Sequence, residues 1–267
     1  MDEILELSMY QLGAAYILTI VLFAVLRWRK IPKQKLLVLA TLRMSIQLVL
    51  IGYLLILVFN QQNPWITLII IAIMQVFSIV TILSKFKNEI SDALKKVVMI
   101  TFPIATLLIL FYFLFVVVQI SPWYNAQYFI PIAGMIVGNS LTGVTLALSQ
   151  MNTQMKDHHL KVEEALILGA TIKEATKPLV DKSFQEAIVP TLNTMLGMGI
   201  VFLPGMMTGQ ILSGVSPLTA IRYQIAIMLG ILATVSLSVL LMLMFGIKTY
   251  FNQDAQIIDE KISNNSI

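Results

Sequence analysis

The chain has 267 residues, 58% of them hydrophobic and only 12% charged, with a net charge of +4 and a mean hydropathy of +0.85. Soluble domains carry about 25% charged residues, so this composition excludes a soluble globular protein and indicates a polytopic membrane protein. There is no cysteine, which excludes a disulfide framework and a thiolate metal site.

The N-terminus, MDEILEL, is acidic. It lacks the basic region that opens a cleaved signal peptide, so the first apolar run is expected to remain as a helix. A helix needs roughly 20 apolar residues to cross about 30 Å of hydrocarbon. Seven segments qualify: 9–26, 36–59, 65–83, 97–120, 127–150, 188–212 and 222–247. The expected fold class is therefore all-α, a transmembrane bundle of about seven spans. One membrane domain covers 1–247 and a polar, mobile tail covers 248–267. Within 188–212, Pro204 is the residue most able to divide a span into two shorter pieces.

The basic residues set an orientation. Arg27, Arg29, Lys30, Lys33 and Lys35 fill the first connection, and Lys85, Lys87, Lys95 and Lys96 flank the third. Lys156, Lys161, Lys173, Lys177 and Lys182 lie in the long segment 151–187, and Lys248 and Lys261 in the tail. The alternate connections, NQQNP (60–64), SPWYNA (121–126) and SGVSPLTA (213–220), hold no charge. The positive-inside rule then places the N-terminus outside and the C-terminus in the cytoplasm. Trp65, Trp123 and Tyr124 fall at the outer boundaries, where interfacial aromatics belong.

Only Arg43 and Arg222 depart from that pattern, and Arg222 is at a span end where it can snorkel. Arg43 sits roughly 10 Å into its span at 1.5 Å per residue, where a charge costs about 2.5–3.5 kcal/mol. Gln47 is one turn on. Arg43 either snorkels or, with Gln47, faces the bundle interior and anchors neighbouring helices.

Span five, IPIAGMIVGNSLTGVTLALSQ (130–150), carries Gly134, Gly138, Thr142, Thr145 and Ser149 at helical spacing. Gly134 and Gly138 form a GxxxG, which lets helix backbones approach closely. Asn139 lies beside this face. Span six places Asn193, Gly197, Val201, Pro204 and Thr208 on one face, beside Thr194, with Gly205 and Gly209 as a second GxxxG. Pro204 frees a carbonyl near Ile200, which in lipid needs a partner or a cavity. Each such face is either helix packing or the wall of a passage. Two of them, both with asparagine, make Asn139, Thr142, Asn193, Thr194 and Thr208 the candidate translocation path. Met195, Met198, Met206 and Met207 are soft-metal donors in principle, with gap-filling packing the preferred reading.

Between these spans, Ala165, Leu168, Ile172, Ala175 and Leu179 draw an apolar stripe. The expectation is a pair of cytoplasmic helices over 156–187, with Pro178 kinking or ending the second. Such a pair lies on the membrane surface or docks a soluble partner. EEALILGA (163–170) resembles the cytoplasmic EAA–three residues–G loop of ABC-transporter permeases, whose short helix docks into the ATPase subunit. The resemblance assigns Glu163, Glu164, Ala165, Gly169 and Ala170 to coupling with a partner ATPase.

All fourteen acidic residues fall outside the expected spans, and both histidines, His158 and His159, are in the long cytoplasmic segment. Proton relays at membrane depth use carboxylates or histidines, so this chain is not built as a proton-coupled carrier. No span has a mid-span lysine, and neither HExxH nor GxxxxGK[ST] occurs. No nucleophile–base set supports catalysis. The reading is a transporter and not an enzyme, with no catalytic residue, no resident metal, no cofactor and no nucleic-acid partner.

RMSIQLVLIGYLL (43–55), IPIAGMIVGNSLTG (130–143), EEALILGAT (163–171), IVPTLNT (188–194), LPGMMTGQILSGVSPLTAIRYQI (203–225) and ATVSLSVLL (233–241) together resemble the iron-export (Fet-type) ABC permeases. That family includes plant permeases linked to aluminium tolerance. The resemblance implies a multi-pass permease of the cell membrane, a separate ABC ATPase subunit, a homodimer of the permease, and export of iron or a metal-linked species. The alternatives are a channel or secondary carrier without an ATPase, and export of a non-metal solute such as a nucleotide sugar.

Overall fold

The computed structural model describes residues 8–61, 63–87 and 89–258. The acidic start of the chain, Lys261 and the SNNSI end lie outside the described residues. Among the described residues the protein is all-α, without a β-strand of more than an isolated bridge. Its helices are α1 (Met9–Trp28), α2 (Gln34–Asn60), α3 (Pro64–Lys85), α4 (Asp92–Tyr112), α5 (Ala126–Ile167), α6 (Ile172–Gly197), α7 (Gly205–Leu212) and α8 (Pro217–Gly246). A π-helical turn, Phe113–Val118, prolongs α4.

Local chemistry sets the helix starts. The side chains of Ser8, Ser91, Asn125 and Ser216 each accept a bond from a backbone N–H in the first turn they cap. This satisfies donors that the helix itself leaves orphaned. Pro217, at the start of α8, has no N–H to lose there.

Among the described residues, six helices are long and apolar enough to cross a membrane: α1, α2, α3, α4 with its π-helical turn, α5 and α8. The segment expected at 188–212 is divided into two shorter helical pieces, the alternative that Pro204 left open. Its first part belongs to α6 and its last part to α7, with residues 198–204 non-helical between them. Pro204 therefore stands at the start of α7 and not inside a helix, and Ile200 has left the helix altogether. The second departure is α5. It continues past the expected membrane edge at 150 to Ile167, 42 residues in all, as two helical segments joined by a kink at His158. Only His158 departs from helical dihedrals within it (φ −124°, ψ 15°). Pro178 does not end its helix either, since α6 runs through it to Gly197.

The chain divides into two compact units, residues 1–63 with 212–214, and residues 64–211 with 215–267. In the first, α1 and α2 form a helical hairpin in which Gln34 Nε2 donates to the Leu26 carbonyl at 3.3 Å. In the second, α3, α4, α5 and α8 enclose the core. Val144, Leu148 and Met151 of α5 meet Val235, Val239 and Met242 of α8 there, all fully buried. α5 and α8 approach closely at Gly143, where an added Cβ would stand 2.7 Å from Val235 Cγ1. Between α3 and α4, Gln75 Nε2 donates to Thr106 Oγ1 at 2.9 Å in a buried site. An interhelical polar bond of this kind holds helices together where the hydrophobic effect between them is weak.

The expected tail from Lys248 begins late. Phe251 is buried, and the Tyr250 hydroxyl donates to Asn152 Oδ1 on α5. Residues 247–258 thus fold back on the second unit.

Candidate functional site: an intramembrane cavity and an α5–α6 hairpin

A cavity of about 190 Å³ opens among α5, α6, α7 and α8. α5 contributes Met135 and Asn139, and α6 contributes Thr191 and Thr194. The amide nitrogen of Asn139 donates to the Met135 carbonyl at 2.7 Å, and Thr194 Oγ1 donates to the Pro190 carbonyl at 2.9 Å. The Thr194 hydroxyl proton is thereby engaged, and its oxygen keeps its acceptor capacity.

The third wall is the break itself. Met198 is extended, Gly199 has φ +84°, and Gly199 N–H donates to the Phe202 carbonyl at 2.9 Å. Gly197 accepts from Val201 N–H at 2.9 Å, and an added Cβ on Gly197 would meet the Phe202 ring at 3.2 Å. This tight reversal places Met198, Phe202 and Pro204 against the cavity. In the first turn of α7, Thr208 N–H and Oγ1 both donate to the Pro204 carbonyl, at 2.9 and 3.0 Å. The carbonyls of Met195, Gly197, Phe202 and Pro204 thus have backbone partners. α8 closes the cavity with Gln224, Met228 and Ile231, which fall on one face at i, i+4 and i+7.

Of the five path candidates, Asn139 and Thr194 come together here. Thr142, Asn193 and Thr208 do not line the cavity. Gln224 and Met228 were not singled out in the sequence. Their helical spacing was visible, but nothing in it marked α8 as a wall. No ionisable side chain lines the cavity. Among the described residues, no group of three or more His, Cys, Asp or Glu side chains is placed to hold a metal ion.

The second element is the α5–α6 hairpin. Gly169 follows the end of α5 with φ +93°, the left-handed region that glycine enters freely. Gly169 N–H donates to the Leu166 carbonyl and Ala170 N–H to the Ala165 carbonyl, both at 3.0 Å. This is a Schellman C-cap. Thr171 immediately caps α6. Its Oγ1 accepts from Glu174 N–H at 3.3 Å, and Glu174 Oε2 accepts from Thr171 N–H at 2.9 Å. The bonds from Thr171 hold the Glu174 carboxyl below its ordinary value of 4.5. Two helix ends are thus capped back to back within four residues.

Glu163 and Glu164 are exposed on the last turns of α5, Ala165 is half-buried, and Gly169 and Ala170 form the turn. The hairpin tip presents Ile167 and Leu168, 85% and 87% exposed. Leu168 is thus off the apolar stripe, which is split between two helices; Ile172, Ala175 and Leu179 turn inward on α6.

The four packing glycines behave unevenly. An added Cβ on Gly134 would touch Met74 Cε at 3.6 Å, but Gly138, Gly205 and Gly209 have no atom within 4 Å. Within this chain the close approaches are made elsewhere, by Gly143, Gly230 and Gly246. Arg43 and Gln47 are both exposed on α2. Gln47 borders a shallow groove with Leu48, Leu50, Ile51 and Leu54 of the same helix.

Residues 9–251 match the uncharacterised protein family UPF0014. A UPF0014 membrane protein of Synechocystis is 35% identical over 235 residues, 88% of this chain and 90% of that protein. The probable iron export permease protein FetB of Escherichia coli is 29% identical over 252 residues, 92% of this chain and 93% of its own. The ALUMINUM SENSITIVE 3 protein of Arabidopsis thaliana is 35% identical over 187 residues, 70% of this chain and 66% of that one. No solved structure matches the chain.

Proposed function

The chain belongs to the UPF0014 family of membrane proteins, and from that premise we propose that it is the permease subunit of an ABC-type exporter, moving iron or a metal-linked species with energy from a separate ATPase. The observation that carries this reading is mechanical. Both legs of the hairpin that ends in Ile167 and Leu168 are also walls of the cavity, through Asn139 on α5 and Thr194 on α6. Exposed apolar side chains at the tip of a capped hairpin suit a groove on a soluble partner. A push on that tip acts on the helices that shape the cavity, about 40 Å away along α5.

In this reading the N-terminus is outside, the C-terminus is cytoplasmic, and α6, the break and α7 together form the sixth crossing. Two permease chains meet two ATPase subunits. ATP-driven closure of the ATPases shifts the hairpins and switches the cavity between the two faces of the membrane.

The test is purification of the tagged chain from native membranes in mild detergent. An ABC ATPase is expected to co-purify in stoichiometric amount. Ile167→Asp with Leu168→Asp should remove it while the permease remains inserted. Reconstituted vesicles holding this chain alone, yet accumulating solute against a gradient, would refute the proposal and favour a secondary carrier.

A further inference from the structure

Beyond residue 150, α5 and α6 enclose a second pocket, of about 310 Å³. α5 contributes Gln154, His158 and Lys161, and α6 contributes Leu179 and Lys182. The three α5 residues recur at i, i+4 and i+7, which is one face of a helix. His158 and Lys182 lie at nearly equal separations from the Gly169–Ala170 turn, so the two legs of the hairpin bring them to one level. The kink of α5 is at His158 and is therefore in the pocket wall.

The wall offers donors and positive charge, and no carboxylate lines it. Among the described residues, neither Lys161 nor Lys182 is in an ion pair, and the His158 ring makes no hydrogen bond. Asp181, the acidic neighbour of Lys182, is held by Lys177 at 2.6 Å. Surface lysines alone would be the ordinary basic fringe of a membrane protein. Gln154 adds what that fringe does not explain. It is only 7% exposed, and its amide makes no hydrogen bond. Its polar atoms are nevertheless not sealed off, so the accessible remainder of this side chain opens on the pocket it lines. An amide withdrawn from water without a partner is costly.

We propose that this pocket binds a terminal phosphate group, a phosphate monoester or inorganic phosphate, between α5 and α6. Lysine meets phosphate as a point charge on a flexible stem, so Lys161 and Lys182 close on the anion from opposite legs. The Gln154 amide nitrogen carries two N–H donors and the His158 ring one more. A phosphate monoester has about 1.5–2 negative charges at neutral pH, which two ammonium groups balance; a carboxylate leaves one of them without a counter-charge. Gln154 precedes the kink and Lys161 follows it, so the bound group braces α5 on both sides of His158. Gln154 is one turn past the expected membrane edge at 150, within reach of lipid headgroups and of solutes alike. The binding is a property of this chain and does not rest on the transporter reading.

The experiment is calorimetric titration of inorganic phosphate into the full-length chain in non-ionic detergent, stripped of lipid. One saturable phosphate per chain is expected. Lys161→Gln with Lys182→Gln should weaken binding by about tenfold or more, the loss of charge-assisted hydrogen bonds. Both lysines are exposed, and an unaltered melting temperature checks that the fold is kept. Gln154→Leu, which removes the amide at similar volume, should weaken binding severalfold. Lys85→Gln with Lys87→Gln removes the same charge outside the pocket and should leave the affinity unchanged. A second arm places the chain in phosphatidylcholine vesicles with and without phosphatidic acid and reads amide hydrogen exchange at residues 154–162. Saturation by inorganic phosphate identifies a soluble ligand. Protection by phosphatidic acid that Lys161→Gln with Lys182→Gln abolishes identifies a headgroup. No saturable response in either arm would overturn the proposal, and so would equal losses in the two lysine pairs, which would show general attraction of anions to a basic surface.

Discussion

Gly169 is the residue at which the α5–α6 hairpin can be perturbed without touching its contacts. Its φ is +93°, and an added Cβ has no atom within 4 Å. Any effect of a side chain on the turn is therefore backbone strain and not a clash. An L-residue in the left-handed region costs about 1–2 kcal/mol. Asparagine tolerates this region, and a β-branched residue suffers most. Gly169→Asn, Gly169→Ala and Gly169→Val thus form a graded series. A penalty of about 1–2 kcal/mol lowers the ratio of formed to unformed turn by roughly 5- to 30-fold. Where that turn must be formed to dock, the apparent dissociation constant rises as the competent fraction falls. Affinity of the proposed ATPase partner for each purified variant, with amide hydrogen exchange at residues 168–171, measures both effects. Gly169→Val should bind weakest and Gly169→Asn close to the unsubstituted chain. Equal affinity across the series would refute the role of the turn. Equal damage by asparagine and valine would show that bulk at the docking surface, and not backbone conformation, decides.

Two other perturbations follow from the geometry. Gly143→Ala drives a Cβ to 2.7 Å from Val235 Cγ1 and 3.5 Å from Val239 Cγ2. Valine is stiff at χ1, so α5 and α8 must separate at an overpacking cost of about 1–3 kcal/mol. The melting temperature should fall, Val235→Ala should restore it in the double variant, and Gly138→Ala should leave it unchanged. Glu174 has a folded-state pKa below its ordinary 4.5. Its contribution to the cap of α6 is therefore complete above that value and is lost as pH falls through the lowered one. Hydrogen-exchange protection of the first turn of α6 should drop over that acidic window in the native chain, and Glu174→Gln should abolish the pH dependence while keeping the cap.

Hydropathy located most of the helices because lipid demands continuous apolar runs, and α1, α2, α3 and α8 begin or end within a few residues of their expected bounds. It misjudged α5 for a related reason. Hydropathy stops at the membrane edge, whereas helix propensity does not, and residues 144–168 contain neither glycine nor proline. The interruption near Pro204 was legible as a possibility. Its position was not, since the reversal is built at Gly197–Phe202 by backbone bonds that proline only follows. Glycine spacing did not mark the close approaches made within this chain. A GxxxG marks a face able to approach a neighbour, but the neighbour decides which glycine is used, and Gly143 meets Val235 outside any such motif. Asn139 and Thr194 were identifiable as polar groups on apolar spans. Gln224 lies in the first turns of α8 near a polar connection, where an amide draws no notice until its burial is known.

A cavity lined without any ionisable group has an electrical consequence. Nothing in its wall takes up or releases a proton as cargo enters and leaves, so these side chains supply no counter-charge to the cargo. In the transport cycle proposed above, a cargo carried as a bare cation makes each turnover electrogenic by its own charge. Expelling a cation from a cell with a negative interior then requires about 2.3 kcal/mol per elementary charge for every 100 mV. The nucleotide hydrolase must meet that demand on top of any concentration gradient.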